Sequence, residues 1–110
     1  LFHGMIAPLS PFGVRGFLWY QGEANANRRR AHEYAPLFQA LIRTWRAHFG
    51  VEEAPFYWAQ LAPFRRADIA SDEWARLREA QAAALALPHT GQAITLDVGD
   101  VNDIHPKDKA

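Results

Sequence analysis

The chain has 110 residues, 49% apolar and 13% aromatic, enough for one small domain with a core and too apolar for a disordered segment. Lys plus Arg and Asp plus Glu both number 12, so the formal charge is zero and nothing argues for nucleic acid or an anionic membrane as partner. The absence of cysteine excludes disulfides and thiolate metal sites, and no apolar run approaches the roughly 18 residues of a membrane span.

The chain opens on Leu1 in mid-pattern, without a basic region or a signal-like apolar run. It is therefore expected to be part of a longer protein whose start lies upstream. The compartment stays open, with periplasm and secretion among the options. Residues 1–12 carry Gly4, Pro8 and Pro11 and read as a loop with one helical turn. Phe17 to Tyr20 is an apolar, aromatic run of strand length. It turns abruptly into Gln21-Gly22-Glu23, two polar side chains around a glycine. Open α/β sheets bind ligands at the carboxyl ends of their strands, which makes these residues site candidates. The alternative is an ordinary strand exit with a turn glycine. The basic run Arg28-Arg29-Arg30 reads as a solvated loop or helix start.

Tyr34, Leu37, Phe38, Leu41, Ile42, Trp45 and Phe49 repeat at steps of three and four and predict a helix with one wide apolar stripe. Pro36 fits such a helix in its first turn, and Gly50 suits a left-handed C-cap. Phe56 to Leu61 is the second predicted strand, apolar on both faces as in a parallel sheet covered by helices. Pro63 ends it, and Phe64 to Ala70 reads as a loop containing Arg65 and Arg66. Ser71 is a candidate cap for a second helix, with Asp72 and Glu73 in its first turn. Trp74, Leu77, Gln81, Ala84 and Leu85 mark its buried face, and Pro88 ends it. Ala93 to Val98 is the third predicted strand, followed by a polar loop from Gly99. Strands alternating with helices imply right-handed crossovers and one parallel sheet.

Trp19-Tyr20-Gln21-Gly22-Glu23-Ala24-Asn25 resembles the central block of the sialate O-acetylesterase family, within the SGNH (GDSL-like) hydrolases. The opening Leu1 to Leu9, the block Leu77-Arg78-Glu79-Ala80-Gln81 and the block Asn102-Asp103-Ile104-His105-Pro106 resemble three further blocks of that family. Each motif is weak by itself; four in the right order are specific. The resemblance implies a three-layer α/β/α fold with a parallel sheet, incomplete because its earlier strands precede Leu1. Residues 1–110 would be the C-terminal-side portion of a single esterase domain. It also implies an acetylated carbohydrate as substrate, hydrolysis through a serine acyl-enzyme, and no cofactor. Acetylxylan esterase is the close alternative, since related carbohydrate esterases share the Gln-Gly-Glu block. A carbohydrate-binding or interaction domain without catalysis is the alternative from a different class.

A serine esterase needs a nucleophile, a base, an orienter for the base and donors for the oxyanion. His105 is the candidate base, because imidazole both accepts and returns a proton near neutrality and the resemblance puts the catalytic histidine in this block. Related hydrolases carry an acid three positions before that histidine; here the position is Asn102. Asp103 is the chosen orienter, with Asp100 and Asp97 close by. Gln21 is the candidate oxyanion donor through its amide NH₂, and Asn25 competes for the role. Gly22 permits close backbone approach, and Glu23 is suited to orienting neighbours or meeting a sugar hydroxyl. The nucleophile is missing: Ser10 lies between prolines and Ser71 reads as a cap, so the serine is expected upstream and the chain by itself is expected to be inactive. No metal site is expected, since His3, His32, His48, His89 and His105 lack ligand spacing, and Asp97, Asp100 and Asp103 lack the closing Glu of a calcium loop. Without the upstream strands, Trp19, Tyr20, Phe56 and Trp58 are expected to face water or another copy of the chain.

Overall fold

The computed structural model describes residues 1–27, 30–65 and 72–104. Three strands pair in parallel in the order β1 (Phe17–Trp19), β2 (Phe56–Ala59), β3 (Thr90–Ala93). Helix α1 (Ala31–Phe49) connects β1 to β2, and α2 (Glu73–Ala82) connects β2 to β3 before tightening into a 3-10 turn at Ala83–Ala86. With strands in sequential order, right-handed crossovers bring both helices to the same face of the sheet. That face presents Phe17, Trp19, Phe56 and Trp58. The Phe38 ring of α1 lies 5.1 Å from Trp58 and 5.9 Å from Phe56, both edge-on. Trp45 meets Trp19 edge-on at 5.7 Å. Leu77 and Trp74 of α2 close the same core.

The expectation that Trp19, Phe56 and Trp58 lose their cover is therefore corrected. Strand alternation turns them under α1 and α2, where Phe56 and Trp58 are buried. The opposite face carries the uncovered residues: Leu18 is 86% exposed and Tyr57 50%, with Tyr20 also exposed. Two of the expected three layers are thus present among the described residues.

Helix α1 begins earlier than the stripe suggests, so Pro36 stands in its sixth position, beyond the first turn. The ring is exposed, as is His32, whose carbonyl loses its helical donor, so water can meet it. The buried line is narrower than the sequence stripe: Tyr34, Phe38, Ile42 and Arg46 at steps of four, with Leu37 exposed. Gly50 has φ 66° and ψ 32°, and Val51 N–H donates to the Arg46 carbonyl at 2.9 Å, the left-handed closure expected there.

Asp72 stands at the N-cap of α2, while the expected cap Ser71 lies outside the described residues. Arg28 and Arg29 of the basic run also lie outside them. The third strand is displaced from Ala93–Val98 to Thr90–Ala93. β2 offers ladder partners only from Phe56 to Ala59, and these pair with Thr90 to Ala93. Gln60 N–H still reaches the Ala93 carbonyl at 2.9 Å, but the Gln60 carbonyl then accepts from the Thr95 hydroxyl at 2.6 Å, which ends the ladder. Ile94 and Leu96, whose alternation with Val98 looks strand-like, remain exposed. Near the start of the chain a π-helical turn (Phe2–Ile6) runs into a 3-10 turn (Ala7–Leu9). Ser10 donates from its hydroxyl to the Ala7 carbonyl at 2.5 Å, closing that turn.

Candidate active site

The site candidates of the central block sit where β1 ends. The chain leaves the sheet at Tyr20, and Glu23–Asn25 forms a single 3-10 turn. That turn brings Gln21 and Asn25 together: Gln21 Nε2 donates to Asn25 Oδ1 at 2.9 Å. The two amides that compete for the donor role are therefore one hydrogen-bonded pair, in which Asn25 uses its oxygen.

Gly22 is buried, and its close approach is steric. A Cβ there would stand 2.9 Å from Leu77 Cδ2 and 3.2 Å from Leu61 Cδ1. Its N–H donates to Glu23 Oε2 at 2.9 Å, so the Glu23 carboxylate folds back over the turn. Tyr20 has its pKa raised, first by partial burial and then by the Glu23 charge.

Both helices reach the Gln21 main chain. Tyr34 of α1 donates from its hydroxyl to the Gln21 carbonyl at 2.9 Å and lies 3.4 Å from Gln21 Oε1. Gln81 of α2, fully buried, donates from Nε2 to the same carbonyl at 3.2 Å and accepts the Leu61 N–H at 3.0 Å. Burial raises the Tyr34 pKa; hydrogen bonds with Trp19 and Gln81 act against that, and the charge of Glu23 adds to it. The phenol therefore stays protonated and remains a donor across the neutral range. Sequence reasoning assigned Tyr34 and Gln81 to the core. The available signal was their polarity at positions that periodicity buries, since a buried polar group needs a partner.

The segments after β2 and β3 lie alongside. A methyl at Gly99 would overlap Pro63 and Ala62, so the loop after β3 rests on the exit of β2, and Leu61 of that exit touches Gly22. Within the loop, Asn102 N–H donates to Asp100 Oδ1 at 2.9 Å and Asp103 N–H to the Asp100 carbonyl at 3.1 Å. Asp100 thus closes its own turn with one carboxylate oxygen and its main-chain carbonyl. Arg65 N–H donates to the Val101 carbonyl at 2.7 Å, and Ile104 packs on the core. Asp103 is half-buried, while Asn102 and Asp97 are exposed. His105 and Pro106 lie outside the described residues. Among the described residues no group of three or more His, Asp or Glu side chains could hold a metal ion, and no helix is long and apolar enough to cross a membrane.

A family profile described as carbohydrate esterase, sialic acid-specific acetylesterase, matches residues 5–110. The chain is 34% identical to the sialate O-acetylesterase of Rattus norvegicus over 99% of its own length, which is 23% of that protein. It is 32% identical to the Homo sapiens sialate O-acetylesterase, over 99% of this chain and 24% of that protein. Among solved structures, a carbohydrate acetylesterase from Xanthomonas citri is 50% identical with a TM-score of 0.90, covering 96% of this chain and 25% of that one. The chain thus spans about a quarter of the relatives it matches. The motif blocks around Gln21, Gln81 and Asp103 all fall within the matched stretch, and the chain belongs to the carbohydrate esterase family of sialic acid-specific acetylesterases.

Proposed function

We propose that this chain is the C-terminal-side portion of the catalytic domain of a carbohydrate O-acetylesterase, which removes acetyl groups from sugars through a serine acyl-enzyme. The serine lies upstream of Leu1. The observation that carries the reading is the Gln21 amide, held at the carboxyl end of β1 by Asn25 on its side chain and by Tyr34 and Gln81 on its carbonyl. One amide hydrogen of Gln21 is used on Asn25; the other is available to an oxyanion.

In this mechanism His105 takes the serine proton as the hydroxyl attacks the acetyl carbonyl. Gln21 donates to the oxyanion of the tetrahedral intermediate, and His105 returns the proton to the departing sugar hydroxyl. Water then releases acetate by the same steps. Asp103, two positions before His105 in the same block, orients the imidazole. Glu23, whose carboxylate accepts the Gly22 N–H, is the residue assigned to orienting neighbours or meeting a sugar hydroxyl.

The test uses the full-length protein with p-nitrophenyl acetate and an acetylated sugar. Gln21→Ala should lower kcat by roughly 10²–10³, as loss of a side-chain oxyanion donor does. A rise in KM at constant kcat would make Gln21 a substrate-binding group instead. His105→Ala should cost several orders of magnitude, and near-normal turnover would remove it from the mechanism.

A further inference from the structure

We infer that Gln81 is a positioning residue: its side-chain amide is interposed between the ends of β1 and β2 where a ladder hydrogen bond would otherwise form, and it sets the place of Gln21. This rests on the role proposed for Gln21. The register of the sheet carries the argument. Phe17 stands opposite Phe56 and Trp19 opposite Trp58, and Phe17 N–H donates to the Pro55 carbonyl at 2.9 Å. In a parallel ladder each such residue then accepts, on its own carbonyl, the N–H one past its partner. Two residues further on, Gln21 would stand opposite Gln60 and its carbonyl would accept from Leu61 N–H.

That bond is replaced. Leu61 N–H donates to Gln81 Oε1 at 3.0 Å, and Gln81 Nε2 donates to the Gln21 carbonyl at 3.2 Å. A primary amide, fully buried on α2, completes both main-chain groups as a peptide unit would, and the strands part by its width. The Tyr34 hydroxyl supplies the second donor to the same carbonyl, from the other helix. The carbonyl of Gln21 is therefore clamped from α1 and α2, while its side chain meets Asn25 at Nε2 and the Tyr34 hydroxyl, at 3.4 Å, at Oε1. A crevice at the carboxyl ends of parallel strands is where this fold class binds ligands, and Gln81 opens it by one amide. Without the wedge, Leu61 N–H can close directly onto Gln21, drawing the Gln21 amide out of place. Displacement of about 1 Å in a positioned group costs up to ~10²-fold in rate.

The test is a double-mutant cycle in the full-length protein, reading kcat and KM for p-nitrophenyl acetate. Gln81→Met keeps length and volume but loses both hydrogen bonds. It should lower kcat about 10- to 100-fold with KM little changed, and by less than about threefold when Gln21 is already Ala, because the two act through one group. Tyr34→Phe removes a single O–H and keeps the ring, so it decides the matter if Gln81→Met does not fold. It should cost about 3- to 10-fold, again with the loss vanishing in the Gln21→Ala background. Equal losses with and without Gln21 would mark Gln81 and Tyr34 as structural only and overturn the inference while leaving Gln21 in its role. Undiminished kcat in Gln21→Ala itself would overturn both readings together.

Discussion

Arg46 is 4% exposed, and it meets main-chain carbonyls rather than an acid. Its Nε donates to Ala54, and Nη2 to Pro88 and His89, each at 2.9 Å. One guanidinium thereby ties the last turns of α1 to the entrances of β2 and β3. Arg46→Met would keep the apolar stem and remove three hydrogen bonds, leaving the Ala54 and Pro88 carbonyls without this donor while His89 keeps the Phe56 N–H. It should destabilise the protein by about 2–4 kcal/mol, measured by urea unfolding. Arg46→Lys should recover only part of this, since an ammonium lacks the planar fork. Tyr34 allows a second test, in alkali. Its folded pKa lies above the ordinary tyrosine value, so its stabilising contribution is complete below pH about 10 and is lost as pH rises through the folded value. Tyr34→Phe should flatten the alkaline limb of the stability profile above pH about 10. An unchanged alkaline limb would show that other groups dominate it.

At the scale of elements, the site depends on how closely β1 exits over α2. Gly22 has Leu77 of α2 on one side and Leu61, beyond β2, on the other, with no room for a methyl group. Gly22→Ala must push back two core leucines or lift the turn. The expected cost is about 1–3 kcal/mol of stability, with a drop in kcat because the turn carries Gln21. Denaturation midpoints and kinetics on the same preparation separate the two effects. The position of β3 belongs to this scale as well. Ile94, Leu96 and Val98 alternate as a strand should, but the ladder partners of β2 are exhausted before them. Pairing supply, not local propensity, decided which residues became strand.

For the whole molecule, the asymmetry of the sheet is decisive. One face is filled by the rings of Phe17, Trp19, Phe38, Trp45, Phe56 and Trp58; the other leaves Leu18, Tyr20 and Tyr57 in contact with solvent. Together with Gly91 and Ala93 these line a shallow apolar groove of about 580 Å³. The 110 residues prepared by themselves should therefore bind an apolar dye, melt broadly and self-associate. Leu18→Glu with Tyr57→Glu should reduce dye binding and association while leaving the buried face intact. A monodisperse chain with a sharp transition and no dye binding would contradict this view of the open face.

The sequence by itself determined the order and type of the elements, the Gly50 cap, most of the α1 and α2 buried faces, and the position of Gln21 at a strand end. These rest on periodicity, capping chemistry and glycine conformation, all readable within a few neighbouring residues. It also held the family, through four motif blocks whose order survives without any structure. Tertiary structure alone decided where β3 lies, that Arg46 is buried, and that Gln81 stands between two strand ends. Each of these depends on a hydrogen-bond partner 20 to 60 residues away, as with Gln81 and its bonds to Leu61 and Gln21. Local pattern says that a polar side chain is buried; only the packed chain says which main-chain groups it must satisfy.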